Sequence, residues 1–215
     1  MRAGALLLAV AAGLAAAGIA GGGVWLALQE GRDRGAAGDL ADARLDAVRL
    51  VYPAALARAG AGRRGGALET LDLAATWPGL EPLPQRRPGA PEPAQVFISV
   101  RPQTAAIDPA ERPVKLYARF FAPEIWSEPG GLVMRRFEPG SPYAREELFL
   151  VPPEGRAFSA RCTRPAQPAD GLPETCVSQM WIKGLEVQVR FAPALLPEWE
   201  ALQGGARRLV EGMVR

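Results

Sequence analysis

The chain has 215 residues with 25 basic and 23 acidic side chains, a formal net charge of +2. So small an imbalance argues against nucleic acid as a partner. Histidine and asparagine are absent and serine is scarce. These absences exclude His-dependent nucleophilic triads, His-ligated zinc or haem and N-linked glycosylation of this chain.

From Ala3 to Gln29 the chain carries no charge. Residues 4 to 28 are therefore expected to form a transmembrane signal-anchor within 1–29, since such a helix exceeds the roughly 30 Å hydrocarbon core. Arg2 precedes the segment, whereas Glu30, Arg32, Asp33 and Arg34 follow it with no net positive charge. That asymmetry puts the N-terminus in the cytoplasm and the body on the periplasmic side of the inner membrane as a single-pass protein. Trp25 suits the far interface. The competing reading is a secretory signal cut before Gly21. Ala9, Gly13, Ala17 and Gly21 place small side chains on one helix face, a pattern that permits helix–helix association and that an Ala/Gly-rich helix also yields without it.

Residues 30–66 read as a membrane-proximal helix or linker. Asp39 stands as its N-cap, Asp42 and Asp46 lie in the first turns, and Leu40, Ala47, Val48 and Val51 fall on one side. Pro53 and the glycines at 60, 62, 65 and 66 interrupt and end it. An extracytoplasmic α+β domain over 67–215 follows, opening on a strand from Leu68 to Trp77 and a Pro-rich loop over 78–94. Strand patterns then recur at 95–102, 114–121, 131–137, 146–151 and 157–162. The clearest is a hairpin, with 175–182 and 185–191 joined at Lys183-Gly184, in which Leu185, Val187, Val189 and Phe191 alternate with Glu186, Gln188 and Arg190. After Pro193 the period becomes helical, with Trp199, Leu202, Ala206, Leu209, Val210 and Met213 on one face. The expected fold is one mainly antiparallel sheet of about six strands with a C-terminal helix packed on it.

Cys162 and Cys176 are the only cysteines. They flank a polar Pro- and Gly-bearing loop between two strands, so they are expected to form a structural disulfide in an oxidising compartment. Their spacing is unlike a redox C-x-x-C, and two thiolates without histidine make no structural zinc site.

No catalytic residue, metal ligand or cofactor is assigned. Glu146 and Glu147 are adjacent on a strand, so they point to opposite faces. Asp39, Asp42 and Asp46 on a helix surface converge poorly on a cation, and Arg44 and Arg49 compete for them. Ser178 and Lys183 are too far apart along a strand for a dyad. The candidate ligand-binding patch is Arg119, Phe121, Arg135 and Phe137, where cross-strand neighbours would present guanidiniums and rings to an anionic lipid headgroup or cell-wall polymer. The functional expectation is a non-catalytic envelope protein, an accessory or scaffold subunit that binds another envelope protein. The alternatives are a binding module for an anionic envelope ligand and a carboxylate-dependent hydrolase.

Overall fold

The computed structural model describes residues 39–84, 92–164 and 174–215. The expected span at 4–28 and the small-residue face at Ala9, Gly13, Ala17 and Gly21 lie outside them. Among the described residues no helix is long and apolar enough to cross a membrane.

Residues Leu40–Arg215 form one compact unit. Its centre is an eight-stranded sheet in the order β4-β5-β11-β10-β9-β8-β7-β6, with every neighbouring pair antiparallel. The strands are β4 (Leu71–Thr76), β5 (Gln95–Pro102), β6 (Phe121–Glu128), β7 (Leu132–Phe137), β8 (Glu146–Leu150), β9 (Ser159–Thr163), β10 (Cys176–Ile182) and β11 (Leu185–Phe191). Period-two alternation sends Leu71 and Leu73, Val96, Ile98 and Val100, and Val187 and Val189 into the core. The C-terminal helix, Trp199–Met213, covers this face with Leu202, Ala206, Val210 and Met213, all buried. Burying each large apolar side chain contributes about 1.5–3 kcal/mol. The α+β expectation of a mostly antiparallel sheet with a C-terminal helix is thus borne out.

The β10–β11 hairpin turns at Lys183 and Gly184, whose φ values of 48° and 80° give the two left-handed residues that a tight hairpin turn needs. A Cβ at Gly205, mid-helix, would lie 3.1 Å from Leu80 Cδ1, so the helix packs closely on Leu80 there. Cys162 and Cys176 are direct partners across β9 and β10, both buried and disulfide-bonded.

Two segments differ from the sequence expectation. The stretch read as a helix from Asp39 is a β-hairpin, β1 (Leu40–Leu45) and β2 (Val48–Pro53), extended by the two-residue β3 (Gly66–Ala67) into a small second sheet of order β2-β1-β3. Its buried residues are Ala41, Ala43 and Leu45, then Leu50 and Tyr52. This is a period of two that joins the main core and overrides the helical propensity of Ala, Leu and Arg. Asp46 makes the turn with φ 52°, a conformation that a short polar side chain tolerates. Tyr52 donates to the Gly62 carbonyl at 2.5 Å and ties the hairpin to the short helix Gly60–Arg64.

The stretch 114–121, expected as a strand, is helical up to Phe120 and enters β6 only at Phe121; after a 3-10 turn at Pro109–Glu111 come a wide π turn, Pro113–Tyr117, and a second 3-10 turn, Ala118–Phe120. The Asp108 carboxylate accepts from Ala110 N at 2.9 Å, and Pro113 starts a turn where its missing N–H costs nothing. Leu116, Tyr117 and Phe120 then share a helical side that packs with Phe137, Leu148 and Leu150 as a second small core. Val114 is exposed. β6, which no sequence pattern marked, is the outermost strand, and it holds Pro123 and a register shift between Phe121 and Ile125. The other edge is covered, since Ala57 bridges Leu73 and Pro82 bridges Ala75 beside β4.

Candidate functional site

One face of the large sheet is consumed by the core. On the other, β5, β10 and β11 carry the polar residues Ser99, Arg101, Gln179, Glu186, Gln188 and Arg190 together with the apolar Phe97, Val177 and Trp181. Register lines them up across strands, Gln179 with Gln188 with Ser99, and Glu186 with Arg101. Gln179 Nε2 reaches Gln188 Oε1 at 3.4 Å, and Ser99 donates to Asp72 further along the same row. Arg58, from the segment after β2, lies over the Phe97 ring at 4.9 Å. Exposed guanidiniums thus stand across this face at Arg58, Arg101 and Arg190.

The helical turns after β5 rise over this face and leave a cleft of about 500 Å³ between themselves and the strands. Its floor is Glu186, only 2% exposed. A buried carboxylate must be paired. Here Oε1 accepts from Arg101 Nη2 at 3.1 Å, Arg112 Nη2 at 3.3 Å and Gln179 Nε2 at 3.2 Å. Arg112 is held from the other side, because its Nε donates to the Ile107 carbonyl at 3.3 Å and its Nη1 donates to Gln179. The far wall is Arg161, whose Nη1 donates to Glu146 at 2.7 Å and whose guanidinium lies 5.5 and 5.3 Å from the rings of Tyr117 and Tyr143. These two rings meet edge to face at 5.1 Å. Burial raises the Tyr117 phenol above its ordinary value, against an opposing pull from Arg161, so this side chain stays uncharged at neutral pH.

The expected patch lies beside this cleft. Phe121 and Phe137 are cross-strand partners with ring centroids 5.4 Å apart, and the Arg135 guanidinium lies over Phe121 at 4.6 Å. Arg135 Nη2 also donates to the Ala122 carbonyl at 2.9 Å. Phe137 is buried in the second small core. Arg119 is apart from them, on a helical turn over Phe120. Glu146 and Glu147 point to opposite faces as expected, one toward Arg161 and the other toward Arg136. Asp42 is engaged by Arg49, whose hydrogen bond holds its carboxyl below the usual value. Among the described residues no cluster of acids or cysteines is arranged to hold a metal ion.

Arg101, Arg112, Arg161 and Glu186 were not singled out by the sequence. Their only signal was the polar alternation of β11, and the convergence of the three arginines comes from register and the turns at 109–120.

No protein-family model matches the chain, and no curated protein matches it. Among solved structures it is similar to an immunity protein of the Stenotrophomonas maltophilia type IV secretion system. The match has 12% identity over 82% of this chain and 93% of that one, with a TM-score of 0.56. It also matches the iron-regulated outer membrane lipoprotein FrpD of Neisseria meningitidis at 13% identity over 83% and 94% of the two chains, with a TM-score of 0.49. At these identities the first likeness is one of fold.

Proposed function

We propose that this chain is a non-catalytic envelope protein, held at the inner membrane by its N-terminal apolar segment, whose periplasmic domain binds another envelope protein through the open face of the large sheet. The observation that carries the reading is that face: an open sheet surface on which the exposed guanidiniums of Arg58, Arg101 and Arg190 stand among polar and apolar side chains. Its buried acid, Glu186, is occupied by arginines and so is poorly placed for proton transfer. A sheet face bearing cations favours a partner of complementary acidic surface, since such complementarity sets encounter rate and register. The disulfide is in keeping with an oxidising compartment. The fold shared with an immunity protein of a secretion system adds support to a protein that acts by association.

The test is affinity capture from native membranes with the wild-type chain and with R58E/R190E. Both positions are exposed, so the reversal leaves the core intact. The expected result is a discrete protein that co-purifies with the wild type and is lost on charge reversal. Capture that is indifferent to the reversal overturns the open face as the interface. Salt-sensitive retention of anionic lipid or wall polymer in place of a protein favours the anionic-ligand alternative.

A further inference from the structure

The cleft deepens this reading and rests on it. We infer that the space between Arg101, Arg112 and Arg161 is a carboxylate site, and that it receives an Asp or Glu side chain from an acidic segment of the partner. The first support is the way the donors are shared out. Arg112 is committed on Nε, Nη1 and Nη2 to the protein itself. Arg101 makes one hydrogen bond, through Nη2 to Glu186, and its side chain is 49% exposed. The rest of its guanidinium fork is therefore offered to the cleft from a position that Glu186 has fixed. A planar fork held in place matches a carboxylate with two parallel hydrogen bonds and loses little entropy in doing so.

The second support is charge. Three guanidiniums line the cleft and two carboxylates answer them, Glu186 beneath and Glu146 beside Arg161. One positive charge is left over. That residue suits a monoanion, whereas a phosphate monoester brings about −1.5 to −2 and overcharges the site. The third is shape. The opening, about 500 Å³, is larger than one carboxylate and admits the side chain with its flanking backbone. The Tyr117 and Tyr143 rings give it an aromatic wall to pack against.

The experiment uses the full-length protein in detergent at low salt and a fluorescein-labelled tetraglutamate peptide with blocked ends, followed by fluorescence anisotropy. Matched tetraglutamine and tetraphosphoserine peptides and phosphatidylglycerol vesicles are the comparisons. Tetraglutamate is expected to bind and tetraglutamine to fail. R101Q is expected to weaken tetraglutamate binding about tenfold, R101K to recover part of the loss, and R208Q, exposed on the C-terminal helix, to change it by less than about threefold. Equal binding of the Gln and Glu peptides, no effect of R101Q in a protein that melts like the wild type, or tighter binding of phosphoserine or vesicles overturns the site. Membrane capture run in parallel separates the two ideas. If R101Q abolishes peptide binding yet the captured protein persists, the partner does not use the cleft, and this inference falls while the broader reading stands. If peptide binding depends on Arg101 but no protein is captured by any variant, the carboxylate chemistry stands while the protein partner falls.

Discussion

Replacing Glu186 with Gln keeps the side-chain shape and removes the charge on which the cleft is built. The Glu186–Arg112 pair is 3.3 Å apart, with the side chains 2% and 13% exposed. At an effective dielectric of about 20 the gross attraction is roughly 5 kcal/mol. Desolvation of both ions cancels much of it, and breaking one partner of a buried pair costs about 3–5 kcal/mol because the other charge is stranded. Gln retains an acceptor for the Gln179 amide, and Arg101 is half in water and re-solvates at little cost. The expected destabilisation by E186Q is therefore about 2–4 kcal/mol. It should appear in urea unfolding as a lower midpoint at unchanged slope. In a chain of this size each kcal/mol lowers the melting temperature by about 2–4 °C. R112Q and the double variant complete a thermodynamic cycle, and a coupling above about 1 kcal/mol is expected. An E186Q protein within about 0.5 kcal/mol of the wild type, or an additive cycle, would refute the account of Glu186 as the anchor of the arginine pair.

Replacing both Cys162 and Cys176 with Ser should lower stability by about 2–5 kcal/mol, because the bond closes a loop with a sequence separation of 14 between buried strand partners; two alkylatable thiols in exported, denatured, non-reduced protein would contradict the bond. Trp199→Ala should cost about 2–4 kcal/mol, since the indole stacks on Phe158 at 5.1 Å and its N–H donates to the Gly130 carbonyl at 3.0 Å. Trp199→Phe should recover the stacking share and leave a loss near 1 kcal/mol in the same unfolding assay. Alkaline pH should destabilise the fold. Burial raises both Tyr52 and Tyr117 in the folded state, so the stability they contribute is complete below the ordinary phenol value of about 10 and falls as pH rises through their folded values. Tyr117→Phe should flatten that decline in denaturation midpoints measured across the alkaline range.

The strands with a buried side and a polar side were readable because alternation there has one interpretation. Val96, Ile98 and Val100 in β5 and Leu185, Val187, Val189 and Phe191 in β11 are buried as their period requires. The disulfide was readable for a related reason, two cysteines at the ends of a loop between such strands. The hairpin β1–β2 was not. Leu40, Ala47, Val48 and Val51 fit a helical face as well as Ala41, Ala43 and Leu45 fit a strand, and only packing against the main core decides between them. β6 escaped because Pro123 and the irregular pairing of an edge strand leave no alternation. Of the expected patch, Phe121, Arg135 and Phe137 do meet, but through mutual packing, and Arg119 is carried away by the helical turn. The cleft draws on β5, β9, β11 and the turns at 109–120, so no local window of sequence contains it.

The central claim is that the open face of the sheet meets a protein. A photo-crosslinking amino acid placed at Gln188, on that face, and at Arg208, exposed on the C-terminal helix, tests it in intact cells. The account predicts one discrete protein adduct at position 188, reduced by R101Q and by added salt, and none at 208. Lipid adducts only at 188, or the same protein at both positions, would contradict it.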